Sequence, residues 1–147
     1  MSAPRWPALT LALAEEVQGA AGITALIGTP PDDQYVMVGE LDYRDFLASG
    51  NSMIDWQLIA DSDRFEVFEG MLVQFGIFTR SEADMITLET ELRALFDHDT
   101  PVTLGTSAPV WAWSERISGG PLQGPDDGLL KRYQDYRFTL YKSAYCS

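Results

Sequence analysis

Asp97-His98-Asp99 is the one place in this 147-residue chain where a metal site could be argued, and it contains the only histidine. A metal ion wants three or four ligands converging from separated positions, with partners behind them to fix their orientation. Adjacent residues splay apart, and no second imidazole is present to help. The run therefore reads as a solvated histidine near a helix C-terminus, where positive charge is mildly favoured. Nucleophilic catalysis has no better foothold. The chain lacks a Gly-x-Ser-x-Gly elbow, so any Ser–His–Asp triad would have to pass through His98. There is no phosphate-cradling Walker loop, and Gly119-Gly120-Pro121 lacks the strand-to-helix context of a dinucleotide fingerprint. These residues predict no enzyme, no metal and no cofactor. The rival from another class is a small hydrolase or ligand-binding domain, which would need His98 or a carboxylate pair in a cleft with convergent partners.

Charge narrows the partners. A net charge of -12 disfavours duplex DNA and anionic membranes, because binding phosphate needs clustered Lys and Arg to displace counterions. The charge is also uneven: residues 1–100 hold 18 acids and 5 bases, residues 101–147 hold 4 acids and 5 bases. Half of the basic side chains (Arg116, Lys131, Arg132, Arg137 and Lys142) thus fall in the last third. Such asymmetry suits head-to-tail association, one face of a subunit meeting the opposite face of the next. The lone Cys146 cannot form an intrachain disulfide and reads as a free thiol in a reducing compartment. Glu15 and Glu16 interrupt the only run resembling a signal sequence. Nothing approaches the roughly 20 apolar residues that span a bilayer. The length suits one domain, residues 1–147.

The elements that would position these residues follow from periodicity. Leu9, Leu13 and Val17 share one stripe of a helix running from Ala8 to about Gly19. Ile23–Ile27 reads as a short apolar turn closing at Gly28, and Thr29–Asp33 as a Pro-rich turn. Gln34–Leu41 predicts the first strand. The island from Met53 to Ile59 fits either a short helix or an extra strand. Phe65–Thr79 is a long strand with large apolar residues on both alternating sets, which predicts cover on both faces, from this chain or a neighbour. Ser81 followed by Asp84 is a helix start, and Met85, Leu88, Leu92, Leu95 and Phe96 line one side of a helix from Glu82 to Phe96. Val110–Ser114 and Tyr133–Tyr141 are the last two strands. Trp111 and Trp113 face the same side, with one expected in the core and the other either core or interface anchor. Between these strands, Glu115–Arg132 reads as a long polar loop rich in Gly, Pro and Asp, the kind of excursion kept for contact. The fold class is α+β: a mainly antiparallel β-sheet with helices packed on one side and a long loop between the last two strands.

The element order and several short motifs resemble the tail terminator, or tail completion, proteins of long-tailed bacteriophages and related gene-transfer particles. The likeness rests on Ala25-Leu26-Ile27-Gly28, Tyr35-Val36-Met37-Val38-Gly39-Glu40, Gly76-Ile77-Phe78-Thr79-Arg80 and Tyr136-Arg137-Phe138-Thr139-Leu140-Tyr141. It extends to Arg116-Ile117-Ser118-Gly119-Gly120-Pro121 and the acidic turn Asp126-Asp127, which are similar to the family's long loop. The resemblance covers roughly residues 8–143, with Asp42–Arg64 as an insertion. It implies a structural virion protein, assembled in the host cytoplasm, that forms a homohexameric ring on the head-proximal end of the tail tube. Such a ring stops tube polymerisation and offers a surface to the head–tail connector proteins, while genomic DNA passes through an acidic lumen without specific binding. A connector, adaptor or stopper, is the close alternative. On this reading the contact residues are Arg116, Gly119, Gly120, Asp126, Asp127, Lys131, Arg132 and Arg137, with Arg116, Lys131 and Arg132 meeting acidic partners.

Overall fold

A computed structural model describes residues 5–28, 36–37, 50–62, 68–107, 109–122 and 128–141. The expected turn at 29–33, the acidic turn at Asp126-Asp127, Lys142 and Cys146 lie outside the described residues, as does the strand 34–41 apart from Val36 and Met37. Helix α1 is Arg5–Gly19 and α2 is Ala21–Ile27. Strands β1 (Val36–Met37), β2 (Met53–Ser62) and β3 (Phe68–Thr79) precede α3 (Glu82–Phe96), and β4 (Val102–Leu104), β5 (Val110–Pro121) and β6 (Leu130–Tyr141) follow it. The six strands form one sheet in the order β1-β2-β3-β6-β5-β4. Every described pairing is antiparallel except β1 with β2.

Local sequence explains each element. Along α1, Leu9, Leu13 and Val17 are fully buried at i, i+4, i+8. The segment expected as a turn is helical: Ala21–Ile27 contains no breaker, and Ile23 and Ile27 bury one face of it. It stops at Gly28, whose φ of 95° is open to glycine, with the Gly28 N–H donating to the Thr24 carbonyl. The island at 53–59 is strand, because Ile54 and Trp56 are buried while Gln57 is exposed, a period of two. Helix α3 begins at Ser81, whose side chain accepts from the Asp84 N–H at 3.2 Å. Its buried stripe is Met85, Leu88, Leu92 and Phe96.

One face of the sheet carries the core. Met71, Val73, Phe75 and Ile77 of β3, Tyr136, Phe138 and Leu140 of β6, and Ala112 of β5 are all buried beneath the helices. Phe96 of α3 stacks on Phe75 (ring centroids 5.3 Å apart) and meets Phe138 edge-on at 5.6 Å. Tyr136 meets Phe75 edge-on at 5.5 Å. Edge and offset contacts of this kind add about 0.5–1.5 kcal/mol each beyond the area they bury. The helices lie on one side, as expected.

One expectation changes. The excursion 115–132 is mostly ladder, since β5 and β6 pair from Ala112 opposite Leu140 to Pro121 opposite Arg132. β5 thus reaches Pro121 and β6 begins at Leu130, well inside the stretch expected as loop. A bulge between Arg116 and Ser118 takes up the register, so turn-forming residues sit in extended strand. Strand β3 packs against the described helices on one face, and on its second face Leu72 and Phe78 are partly buried.

Phe75 touches Trp56, Phe96 and Tyr136, so it joins β2, β3, β6 and α3. Phe75→Ala is expected to lower unfolding free energy by about 3–5 kcal/mol in urea titration.

Candidate interaction surface on the open face of the sheet

The sheet face turned away from the described helices carries large apolar side chains that no described helix covers. On β5, Trp111 and Trp113 are 43% and 48% exposed, so neither is in the core, contrary to expectation for one of them. Their spacing of two puts both indoles on this face because strand side chains alternate. Across β6, Trp113 stands opposite Thr139 and Glu115 opposite Arg137. On the other flank of β6, Leu72 of β3 stands opposite Arg137. Phe68, Trp113, Glu115, Arg137 and Thr139 line an open groove of about 430 Å³. Arg137 and Glu115 pair at 3.7 Å with both side chains about half exposed. In that setting the pair contributes little to stability. Trp113 is held in place: its indole N–H donates to the His98 carbonyl at 3.1 Å, and the His98 N–H donates to the Ser114 carbonyl at 3.0 Å. A wide aromatic fixed at its polar end and exposed along its ring loses little entropy when covered, which is the property of an interface anchor.

Asp55 is the titratable group that stands out on this face. It lies across Gly76, whose N–H donates to Asp55 Oδ1 at 3.0 Å, and a Cβ at position 76 would overlap the carboxylate. Burial is the larger influence and pushes the Asp55 carboxyl up to about 6, against the opposing pull of the Gly76 N–H.

The predicted contact residues divide between the two faces. Lys131 and Arg137 are on the open face, in the β6 set opposite Phe78 and Leu72. Arg116 and Arg132 are on the helix side. Arg132 Nε lies 3.5 Å from Glu89 of α3, and the Arg116 N–H donates to Asp97 Oδ1 at 3.3 Å. Arg132 thus already meets an acid of its own chain. Gly119 and Gly120 are strand residues that make room for neighbours. The Arg116 guanidinium lies over Gly119, and the Tyr133 ring lies over Gly120. Asp126 and Asp127 lie outside the described residues. His98 is half-buried rather than freely solvated, with Nε2 2.6 Å from the Leu95 carbonyl, where it closes the end of α3. Among the described residues no three His, Cys, Asp or Glu side chains gather as a metal site.

What this arrangement can do is bind a surface. The Trp-x-Trp spacing was the available signal for it. The anchoring of Trp113 by His98 and the burial of Asp55 had no signal in sequence, because both depend on which strands meet. No protein-family profile matches the chain, and no curated protein matches it.

Two outcomes follow from the geometry. Asp55 has its carboxyl raised from 3.8 to about 6 in the fold, so its ionised form opposes folding. That opposition is absent below about pH 3.8 and complete above about pH 6. Asp55→Asn is expected to exceed the parent in stability by about 1–2 kcal/mol at pH 8, with the gain vanishing near pH 4, as read from urea titrations at both pH values. In the hairpin, a Cβ at 119 would stand 3.0 Å from the Tyr133 carbonyl oxygen, whereas a Cβ at 120 meets only ring atoms at 3.4 Å or more. Gly119→Ala should lose about 1 kcal/mol, and Gly120→Ala should stay within about 0.5 kcal/mol of the parent in thermal melts.

Proposed function

We propose that this chain is a structural assembly protein of the tail-terminator kind, acting by contact rather than by transforming a molecule. Copies associate head-to-tail into a closed ring, a hexamer by the resemblance, that sits on the head-proximal end of a tail tube. There the ring stops tube growth and presents a surface for head attachment, and DNA passes through its lumen. The observation that carries the reading is the open sheet face, where the exposed Trp111 and Trp113 flank a groove lined by Phe68, Glu115, Arg137 and Thr139. Exposed aromatic side chains grouped beside a groove mark interaction surfaces on soluble proteins. The long β5–β6 hairpin supports the same reading, since it gives this face a rigid strand framework instead of a loop. The net charge of -12 also fits a lumen that repels phosphate and lets DNA slide.

Because Gly119–Pro121 belong to β5, deletions there would cut a strand, and a point change on the open face is the better probe. Trp113→Asp should fold, since the side chain lies outside the core, yet lose ring formation. In negative-stain images of purified tail tubes mixed with the protein, the parent should cap one end and the variant neither. Bare tubes with the parent, or equal capping by Trp113→Asp, would contradict the proposal.

A further inference from the structure

On the helix side of the sheet, the turn between β4 and β5 directs an unusual number of donors at one carboxylate. The Thr106 N–H reaches Glu15 Oε2 at 3.2 Å, and the Ser107 N–H reaches Oε2 at 3.1 Å and Oε1 at 3.3 Å. The Ser107 hydroxyl donates to Oε2 at 3.2 Å, and the Thr106 hydroxyl donates to the same oxygen. One residue earlier, the Gly105 N–H donates to Glu16 Oε1 at 2.9 Å. Successive N–H groups converging on an anion form the concave nest found at many anion sites. Gly105, at φ 82°, gives the turn its left-handed step, and a side chain there would press on Ala12 of α1 at 3.1 Å.

The turn is bounded by paired strand residues, Leu104 of β4 opposite Val110 of β5, and by the left-handed Gly105, so its backbone has anchors besides Glu15. A cavity of about 210 Å³ adjoins them, lined by Glu15, Glu16, Gly19, Ala20, Leu95 and Thr106. It is open to solvent and has apolar wall beside the polar donors, which suits a carboxylate on a short aliphatic body. The Thr106 hydroxyl foremost, then the Ser107 N–H, holds the Glu15 carboxyl below the usual carboxylate range, so the donors select the ionised form.

We propose that the Gly105–Ser107 turn is a carboxylate-binding site whose resident ligand is Glu15 of the same chain, and that it takes a small carboxylate from solution once Glu15 is removed. In the intact chain α1 occupies the site, so α1 and an outside carboxylate exclude one another. The probe is sodium acetate, compared with sodium chloride at equal ionic strength and pH 7, on Glu15→Ala. Acetate should move the Gly105, Thr106 and Ser107 amide resonances saturably, with half-saturation on the order of 0.1 M. At about 0.3 M it should raise the melting temperature by about 2–4 °C. The parent and Glu15→Gln, whose side chains fill the cradle, should not respond. A Glu15→Ala response no greater than the parent's, or equal in chloride, or centred on other amides, would overturn the proposal. Should Glu15→Ala be unfolded in chloride, recovery of its circular dichroism in acetate would support the site, and no recovery would overturn it.

Discussion

A β-sheet has two faces, and the described helices of this chain cover one of them. With α1, α2 and α3 all on the same side, β3, β5 and β6 send one alternating set of side chains into the core and the other set outward. The inward set is dense and aromatic, with Phe75, Phe96, Tyr136 and Phe138 in mutual contact. The outward set is a mixture. Gln57, Gln74 and Thr139 suit water, whereas Trp111, Trp113 and half-exposed Leu72 and Phe78 do not. The proposed function rests on that mismatch between composition and cover.

The helix layer is tied to the hairpin by polar contacts as well as by the core. Arg132 with Glu89 and the Arg116 N–H with Asp97 join α3 and its end to β5 and β6, and Glu15 and Glu16 join α1 to the β4–β5 turn. Exposed ion pairs contribute little free energy, so their value here is directional. They fix how the helices lie on the sheet while leaving the opposite face untouched. The basic residues counted together in sequence thereby serve two purposes: the Arg132 side chain meets Glu89 of the subunit's own helix layer, and Arg137 lies beside the groove on the open face.

Much of this fold could be read from residue order. The α3 boundaries, its Ser81 cap, the α1 stripe and the alternation of Tyr136, Phe138 and Leu140 follow from periodicity and local chemistry, and the structure reproduces them. The hairpin was misread because Gly119, Gly120 and Pro121 are turn residues by composition. Whether such residues stay extended is decided by the partner strand, here Tyr133 over Gly120 and a bulge at the neighbouring register. The Trp-x-Trp pair revealed that both indoles share a face, but not which face, since that depends on where the helices pack. Asp55 has no local signal for a related reason: its hydrogen-bond partner, the Gly76 N–H, is twenty-one residues away on the paired strand.

The account stands on the open face being a contact surface between copies of this chain. Sedimentation velocity of the purified protein from about 1 to about 100 µM tests it most directly, because mass action must populate the assembly as concentration rises. A concentration-dependent shift from monomer to one closed species of defined size is the predicted result. A monomer that sediments unchanged across the whole range would contradict the account.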